Sequence, residues 1–486
     1  MKVIIINLGC PKNLTDAEIM AGHLAEAGFS FTNRESDADI ALINTCAFIK
    51  PAVKESEKEI KRLIALKKRG VFKKIVVTGC LVERRKEEIL KRFREIYPVT
   101  NKPRHRRGCR RPALAGGRIW NGVDACVGIS GIDKIAQAIK KGETFIPEHP
   151  RLPEIHPVTN KPPRGGCRRP AKAGGRIWNG VKMRLTMSHS AYLKIADGCN
   201  NRCSYCTIPS IRGGFRSKPL EQVLSEARLL AETGAKEISL VAQDTTSYGI
   251  DIYRKPALAK LLKKLSGIRD LKWIRVMYAY PERVDWELLE TIKNEEKICR
   301  YLDMPLQHIS DNILQKMNRI SREDSIKKTM ERIRKKIPDI AVRTNFIAGF
   351  PGETEKDFRK LLKFTREAGF YSLGIFKYFR EKETPACAYE NQIPEREKTA
   401  RFNALIETQS RVIDKINESL MGKNLTVLMD DTQSGRTEKD APDIDGRIII
   451  TKAENLHSGQ FVNARILSAK GYIRTAKFLK NLRPKT

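Results

Sequence analysis

The sequence predicts an α/β protein in three parts: a doubly wound N-terminal domain, a partial (β/α)6 barrel and a small, OB-like C-terminal β-barrel. Three observations carry this. Strand and helix signals alternate over residues 1–145, and alternate again with six strand-like runs over residues 190–378. Past Gly422 only short β-type runs separated by Gly turns remain. At 486 residues the chain exceeds what one hydrophobic core serves, and a hydrophobic fraction of 41% is enough to build several.

In order, residues 3–8 read as a buried strand, and Thr15-Asp16-Ala17-Glu18 as a capping box opening a helix to about Ala27. Residues 40–44 form a second strand. A helix over 53–68, stopped by Gly70, leads to a third strand at 74–78. The barrel strands are expected at 191–195, 237–242, 273–279, 301–306, 341–348 and 371–378, followed by a long helix over 395–420. Runs at 425–429, 447–450 and 461–466 make the terminal module. The expected division is a domain at 1–145, a linker at 146–185, the barrel domain at 186–420 and the terminal domain at 421–486.

The 11 cysteines are too few and too clustered for a secreted disulfide framework, so bound metal is the better reading. No stretch reaches the roughly 18 apolar residues of a membrane span, and the apolar run at 3–6 is too short for a signal peptide. A soluble cytoplasmic protein is expected. The formal charge of +35 would draw the chain toward nucleic acid, although Lys enrichment from genomic base composition accounts for it equally.

Residues 98–123 and 157–181 are near copies of one string, carrying 7 and 6 Lys/Arg and no acidic residue. A paired metal site on Cys109, Cys167, His105 and His156, or an RNA-touching loop, is one reading. Each copy offers a single Cys with no partner at ligand spacing and is rich in Gly and Pro, which favours tolerated surface insertions.

Two cysteine sets carry the chemistry. Cys199, Cys203 and Cys206 have C-x3-C-x2-C spacing on the loop after the first barrel strand, at the carboxyl end where such folds place their chemistry. Three thiolates on one short loop can hold three corners of a 4Fe-4S cluster and leave one iron open to the amino and carboxylate groups of S-adenosylmethionine. A zinc knuckle is the rival, weakened by the lack of a nearby fourth ligand. Cys10, Cys46 and Cys80 each lie just past the carboxyl end of a strand, and in an open parallel sheet those ends line one crevice. A second cluster there outweighs three packed thiols. Cys126, Cys299 and Cys387 stand alone and read as structural.

At these residues the chain resembles the radical S-adenosylmethionine methylthiotransferases, built from an N-terminal methylthiotransferase domain with three Cys, a radical domain with C-x3-C-x2-C, and a C-terminal TRAM barrel. The strings NLGCPKN, IPSIRGGFRSKP, VAQDTTSYG, YLDMPLQH and GRTEKDAPDIDG are similar to its RimO-type branch, which modifies an aspartate β-carbon of ribosomal protein S-twelve. The resemblance implies two 4Fe-4S clusters and two uses of S-adenosylmethionine: a methyl donor to sulfur at the Cys10/Cys46/Cys80 cluster, and the source of a 5'-deoxyadenosyl radical at the Cys199/Cys203/Cys206 cluster. It implies the protein or the small ribosomal subunit as partner, with a flavodoxin or ferredoxin as electron donor. Tyr205 is a candidate to pack on adenine. Gln243, Gln307 and Asn345 are candidates to bond the cofactor's polar edges, and Gly349 opens a turn similar to a family loop. The two inserts depart from the family pattern.

Six acidic residues between Asp430 and Asp445 suggest an acidic patch that would attract a basic protein and repel RNA phosphates, or simply a solvated loop. A tRNA adenosine methylthiotransferase is the rival function, which the charge and the TRAM module permit. A non-catalytic ribosome- or RNA-binding protein is the rival of another class.

Overall fold

Nearly uncharged runs rich in Ile and Val build the central sheet of the first unit. In the computed structural model, which describes residues 1–96, 120–147, 178–179, 182–451 and 455–481, that unit comprises Met1–Leu185 with Thr207–Gly213. Strands β1 (Lys2–Asn7), β2 (Ser30–Phe31), β3 (Ile40–Thr45), β4 (Lys74–Gly79) and β5 (Ala125–Val127) are parallel in the order β2-β1-β3-β4-β5. Helices α1 (Pro11–Glu26), α2 (Lys50–Lys68), α3 (Cys80–Arg84), α4 (Lys86–Ile96) and α5 (Ile135–Lys141) cover its faces. Alternate strand residues serve different cores. Ala41, Ile43, Ile75 and Val77 pack with Ile60 and Leu63 of α2, whereas Ile40, Leu42 and Val76 pack with Met20, Leu24 and Ile139. This is the doubly wound arrangement that the alternation predicts.

Three expectations need correction. The Thr15 capping box does not open α1: the helix starts at Pro11 with Cys10 as its N-cap residue, and the Thr15 hydroxyl donates back to the Lys12 carbonyl at 2.7 Å. Proline at the first helical position loses no hydrogen bond and presets the helical φ, so it moves the start forward. The short strand β5 was not foreseen. The end of the first repeat is also no surface insertion, because Trp120 is fully buried in the α2-side core and its indole N–H donates to Glu88 at 3.1 Å. Residues 98–119, most of the second repeat, and Cys109, Cys167, His105 and His156 lie outside the described residues. Two short pieces, β6 (Trp178–Asn179) and β7 (Lys182–Met183), pair antiparallel.

The second unit comprises Thr186–Cys206 and Gly214–Thr486. Strands β8 (Ser190–Lys194), β11 (Glu237–Val241), β12 (Trp273–Val276), β13 (Ile298–Asp303), β14 (Ala341–Ala348) and β15 (Ser372–Lys377) are all parallel and in chain order, as a partial (β/α)6 barrel requires. Strands β9 (Ala196–Asp197) and β10 (Arg216–Ser217) pair at its edge, while α6 (Ile208–Arg212), between them in sequence, belongs to the first unit. Helices α7 (Leu220–Glu232), α8 (Ile250–Tyr253), α9 (Leu258–Ser266), α10 (Trp286–Asn294), α11 (Asp311–Lys316), α12 (Glu323–Lys336), α13 (Glu355–Ala368) and α14 (Glu395–Leu420) complete the unit. A closed barrel follows, formed by β16 (Asn424–Met429), β17 (Ser434–Arg436), β18 (Arg447–Thr451), β19 (Phe461–Lys470) and β20 (Ile473–Asn481).

The acidic stretch from Asp430 to Asp445 is only in part an exposed patch: Asp431 and Asp443 are exposed, whereas the other acids are drawn into the fold. Arg436 lies 2.8 Å from both Glu237 and Asp430, and Asp440 lies 3.1 Å from Arg474. Tyr301 donates to Asp445 at 2.7 Å, and Tyr192 donates to the Pro442 carbonyl at 2.8 Å. Glu237 and Arg343 sit in the amino-terminal halves of β11 and β14, and Tyr192 at the middle of β8. The segment therefore packs toward the amino-terminal mouth of the partial barrel, the face that serves stability, where Asp430, Asp440 and Asp445 meet Arg436, Arg474 and Arg343, while Asp431 and Asp443 stay exposed.

Candidate functional site

In the first unit the three sulfurs are brought together by loops that leave adjacent strands. Cys10 caps α1, Cys46 follows β3 and Cys80 opens α3. Asn13, one turn into α1, lies between two of them: the Cys10 and Cys80 thiols reach its Oδ1 at 3.7 and 3.5 Å. Its Nδ2 donates to the Thr45 carbonyl at 2.9 Å, tying α1 to the end of β3. Gly79 has φ +95°, and a Cβ there would run into Asn44 Oδ1 and the Thr45 carbonyl, so only glycine lets β4 end so close to β3. Ser56 both donates to the Cys46 carbonyl and accepts its N–H.

Burial, reinforced by the charges Cys80 and Cys10 would carry, pushes the Cys46 thiol up to about 12. Burial also raises Cys80, against the pull of Arg212. Cys46 and Cys80 thus resist ionisation without a cation beside them, and iron would remove that cost by replacing their protons. Among the described residues no three His, Cys, Asp or Glu are gathered closely enough to hold a single metal ion. The donor set suits a multi-iron cluster better than zinc.

In the second unit the loop bearing Cys199, Cys203 and Cys206 follows β9, with all three cysteines half-buried. Its centre is clamped. Ser204 N–H donates to the Met317 carbonyl at 3.0 Å, Ser204 Oγ to the Lys316 carbonyl at 2.7 Å, and Ala386 N–H to the Ser204 carbonyl at 2.9 Å. Asn318 donates to the Arg202 carbonyl at 2.7 Å. Beside it opens a cavity of about 380 Å3 whose lining includes Asn200, Asn201, Phe215, Asp244, Ser247 and Arg283.

The candidate cofactor residues divide by what their polar atoms do. Both amide atoms of Gln243, just past β11, and Oδ1 of Asn345 in β14 are buried without a hydrogen-bond partner. Such groups are costly in the ligand-free chain and are natural contacts for a polar ligand. Gln307 has φ +73° and bridges to β14 through its backbone, donating to the Asn345 carbonyl at 2.8 Å. Tyr205 packs edge to face on Phe350 with ring centroids 6.4 Å apart. Gly349 does not offer its N–H: Glu353 takes it at 2.7 Å, closing the turn on itself.

Sequence reasoning missed three features of this face. Tyr278, past the carboxyl end of β12, has φ +60°, a strain that non-glycine residues tolerate mainly at functional positions. Asp244 binds Asn201 and Arg283, each at 2.9 Å. Buried Arg319 stacks 4.0 Å from the Tyr280 ring centroid and keeps its Nε unpartnered. Only Asp244 left a sequence signal, an acid following a strand end. The single cysteines Cys126 and Cys299 are fully buried, in β5 and β13.

Residues 193–365 match the Radical SAM superfamily, residues 2–100 the family described as Uncharacterized protein family UPF0004, and residues 421–474 the TRAM domain. The chain is 47% identical to Ribosomal protein uS12 methylthiotransferase RimO of Elusimicrobium minutum (strain Pei191), over 98% of this chain and 100% of that protein. It is 42% identical to the protein of the same name from Geobacter sulfurreducens, over 97% of each. Among solved structures, the radical S-adenosylmethionine methyltransferase TsrM from Kitasatospora setae, with cobalamin and a [4Fe-4S] cluster bound, shares the fold. Its TM-score is 0.52 at 15% identity, over 79% of this chain and 73% of that one.

Proposed function

Since this chain belongs to the family of ribosomal protein uS12 methylthiotransferases, we propose that Cys199, Cys203 and Cys206 hold its radical-generating cluster and Cys10, Cys46 and Cys80 its second cluster. The enzyme transfers a methylthio group to the β-carbon of an aspartate in ribosomal protein uS12 and uses S-adenosylmethionine with two 4Fe-4S clusters. When bound, these groups supply the electron, the adenosyl fragment and the sulfur chemistry.

The residues supply placement. One observation carries the reading: a clamped three-cysteine loop lies at the carboxyl end of a six-stranded parallel barrel whose Gln243 and Asn345 hold buried, unpartnered amide atoms toward that end. Gln243 and Asn345 bond the polar edges of S-adenosylmethionine. Gln307 shapes the wall between β13 and β14, and Tyr205 presents the edge of an aromatic cluster. Gly349 contributes the turn that Glu353 closes. In the first unit Asn13 holds Cys10 and Cys80 at a common distance, so the second cluster meets a preset donor geometry.

The terminal barrel matches the TRAM domain, and RNA contact through it, with the uS12 substrate in the small subunit, fits a chain of charge +35. Among the described residues no helix is long and apolar enough to cross a membrane. We place the enzyme in the cytoplasm, reduced by a flavodoxin or ferredoxin.

Mass spectrometry of uS12 and of digested tRNA from cells with and without the gene tests the function. Methylthio-aspartate should vanish from uS12 without the gene, return with the wild-type chain and stay absent with Cys203→Ala. Loss of methylthio-adenosine from tRNA with uS12 unchanged would overturn the assignment.

A further inference from the structure

Arg212 ends α6, on the segment that follows Cys206 in sequence, yet its guanidinium is buried in the first unit at the second cysteine set. One nitrogen, Nη2, lies 2.8 Å from Asn13 Oδ1, 3.1 Å from Asp16 Oδ2 and 3.7 Å from Cys80 Sγ. Asn13 Oδ1 is the atom that Cys10 and Cys80 share. One cation therefore meets a cysteine sulfur, the amide that spaces two sulfurs, and a carboxylate that pairs with it. An arginine this buried is costly unless it is paired; Asp16 pairs it at 3.1 Å, while the same nitrogen also faces the Cys80 sulfur. Three thiolates around iron would concentrate negative charge here.

Resting on the cluster assignment for Cys10, Cys46 and Cys80, we infer that Arg212 is a positioning residue. It donates to the Cys80 sulfur, fixes the Asn13 amide, and raises the reduction potential of the second cluster. A hydrogen bond and a full positive charge next to a ligating sulfur both favour the more electron-rich cluster, and low-dielectric surroundings strengthen them. Asp16 acts in the opposite sense by drawing charge away from the sulfur. The segment after Cys206 thus contributes the electrostatics of the second cysteine set.

The test uses the full chain with Cys199, Cys203 and Cys206 changed to Ala, so that the second cluster is the one left to observe. Iron and sulfide analysis and a redox titration followed by electron paramagnetic resonance are run on this parent and on Arg212→Gln, Arg212→Lys and Asp16→Asn within it. Arg212→Gln should keep the cluster and shift its midpoint to more negative potential, with Arg212→Lys shifting it less. Asp16→Asn should shift it to more positive potential, a sign that general loosening would not produce.

Unchanged midpoints in Arg212→Gln and Asp16→Asn, with iron content equal to the parent, overturn the inference. If Arg212→Gln loses the cluster, Arg212→Lys and Asp16→Asn decide it: opposite shifts support it and identical potentials overturn it. A parent that binds no iron overturns the cluster assignment itself, a result distinct from any failure at Arg212.

Discussion

Arg436, the last residue of β17, lies 2.8 Å from Glu237, the first residue of β11, and so pins the terminal barrel to the amino-terminal mouth of the partial barrel. Burial alone would raise Glu237, but Arg436 and Arg275 outweigh it and hold the carboxyl down at about 2. Arg436→Met leaves Glu237 and Asp430 short of a buried partner, and urea unfolding should show a loss of about 3–5 kcal/mol. Adding Asp430→Asn should recover part of it, because that carboxylate has lost its arginine, whereas Glu237 keeps Arg275 at 2.9 Å.

The two cysteine sets are expected to separate by product. Cys203→Ala should abolish 5'-deoxyadenosine release on reduction, whereas Cys46→Ala should spare much of it and abolish methylthiolation of uS12. Equal loss of adenosyl cleavage in both would sink the division of labour. Chromatographic assay of 5'-deoxyadenosine beside mass spectrometry of the substrate reads both.

Gln243→Leu should move stability and binding in opposite directions. A buried amide with no partner costs about 1–3 kcal/mol, so an apolar side chain of similar size should leave the ligand-free chain as stable or more so. Affinity for S-adenosylmethionine should fall about 10-fold or more. Thermal unfolding and a binding titration on the same preparation test the pair of signs.

His308 should make an acid-sensitive contribution to the second unit, opposed by Glu353 4.0 Å away, whose carboxyl is raised by burial to about 7. Burial pushes its imidazole down to about 3, and its Nδ1 accepts from Ser310 N–H at 2.9 Å. Between the ordinary value near 6.5 and about 3, the unfolded chain binds a proton that the folded chain refuses, so stability is lost as pH falls through that window. From pH 7 to pH 5 the loss amounts to about 2 kcal/mol. His308→Asn, which keeps an acceptor for Ser310, should make the change in urea-unfolding stability from pH 7 to pH 5 more favourable than in the wild type by about 2 kcal/mol.

Trp120→Ala should cost the first unit about 3–5 kcal/mol, since a fully buried indole leaves a cavity and takes one donor from Glu88, which keeps Arg85. Deleting residues 98–119 while keeping Trp120 should leave the unfolding midpoint nearly unchanged. The contrast marks where the repeated string stops being dispensable.

Much of this was legible from local pattern. The six barrel strands, the long helix α14 and the positions of Cys10, Cys46 and Cys80 after β1, β3 and β4 follow from hydrophobic period and turn residues, which act over a few residues and leave their mark in any short window. At the start of α1 a proline in the first helical position outweighs the plausible capping box at Thr15. Strand β5 has three residues, too few for a period to show. Long-range charge pairing was invisible. Nothing in the string from Asp430 to Asp445 says that its acids will be met by Arg343 and Arg474, and nothing near Arg212 says that Asn13, Asp16 and Cys80 await it. The cysteine spacing told which chemistry the chain carries. The electrostatic surroundings of those sulfurs came only with the fold, because Coulomb partners are chosen by distance in space and carry no periodicity along the chain.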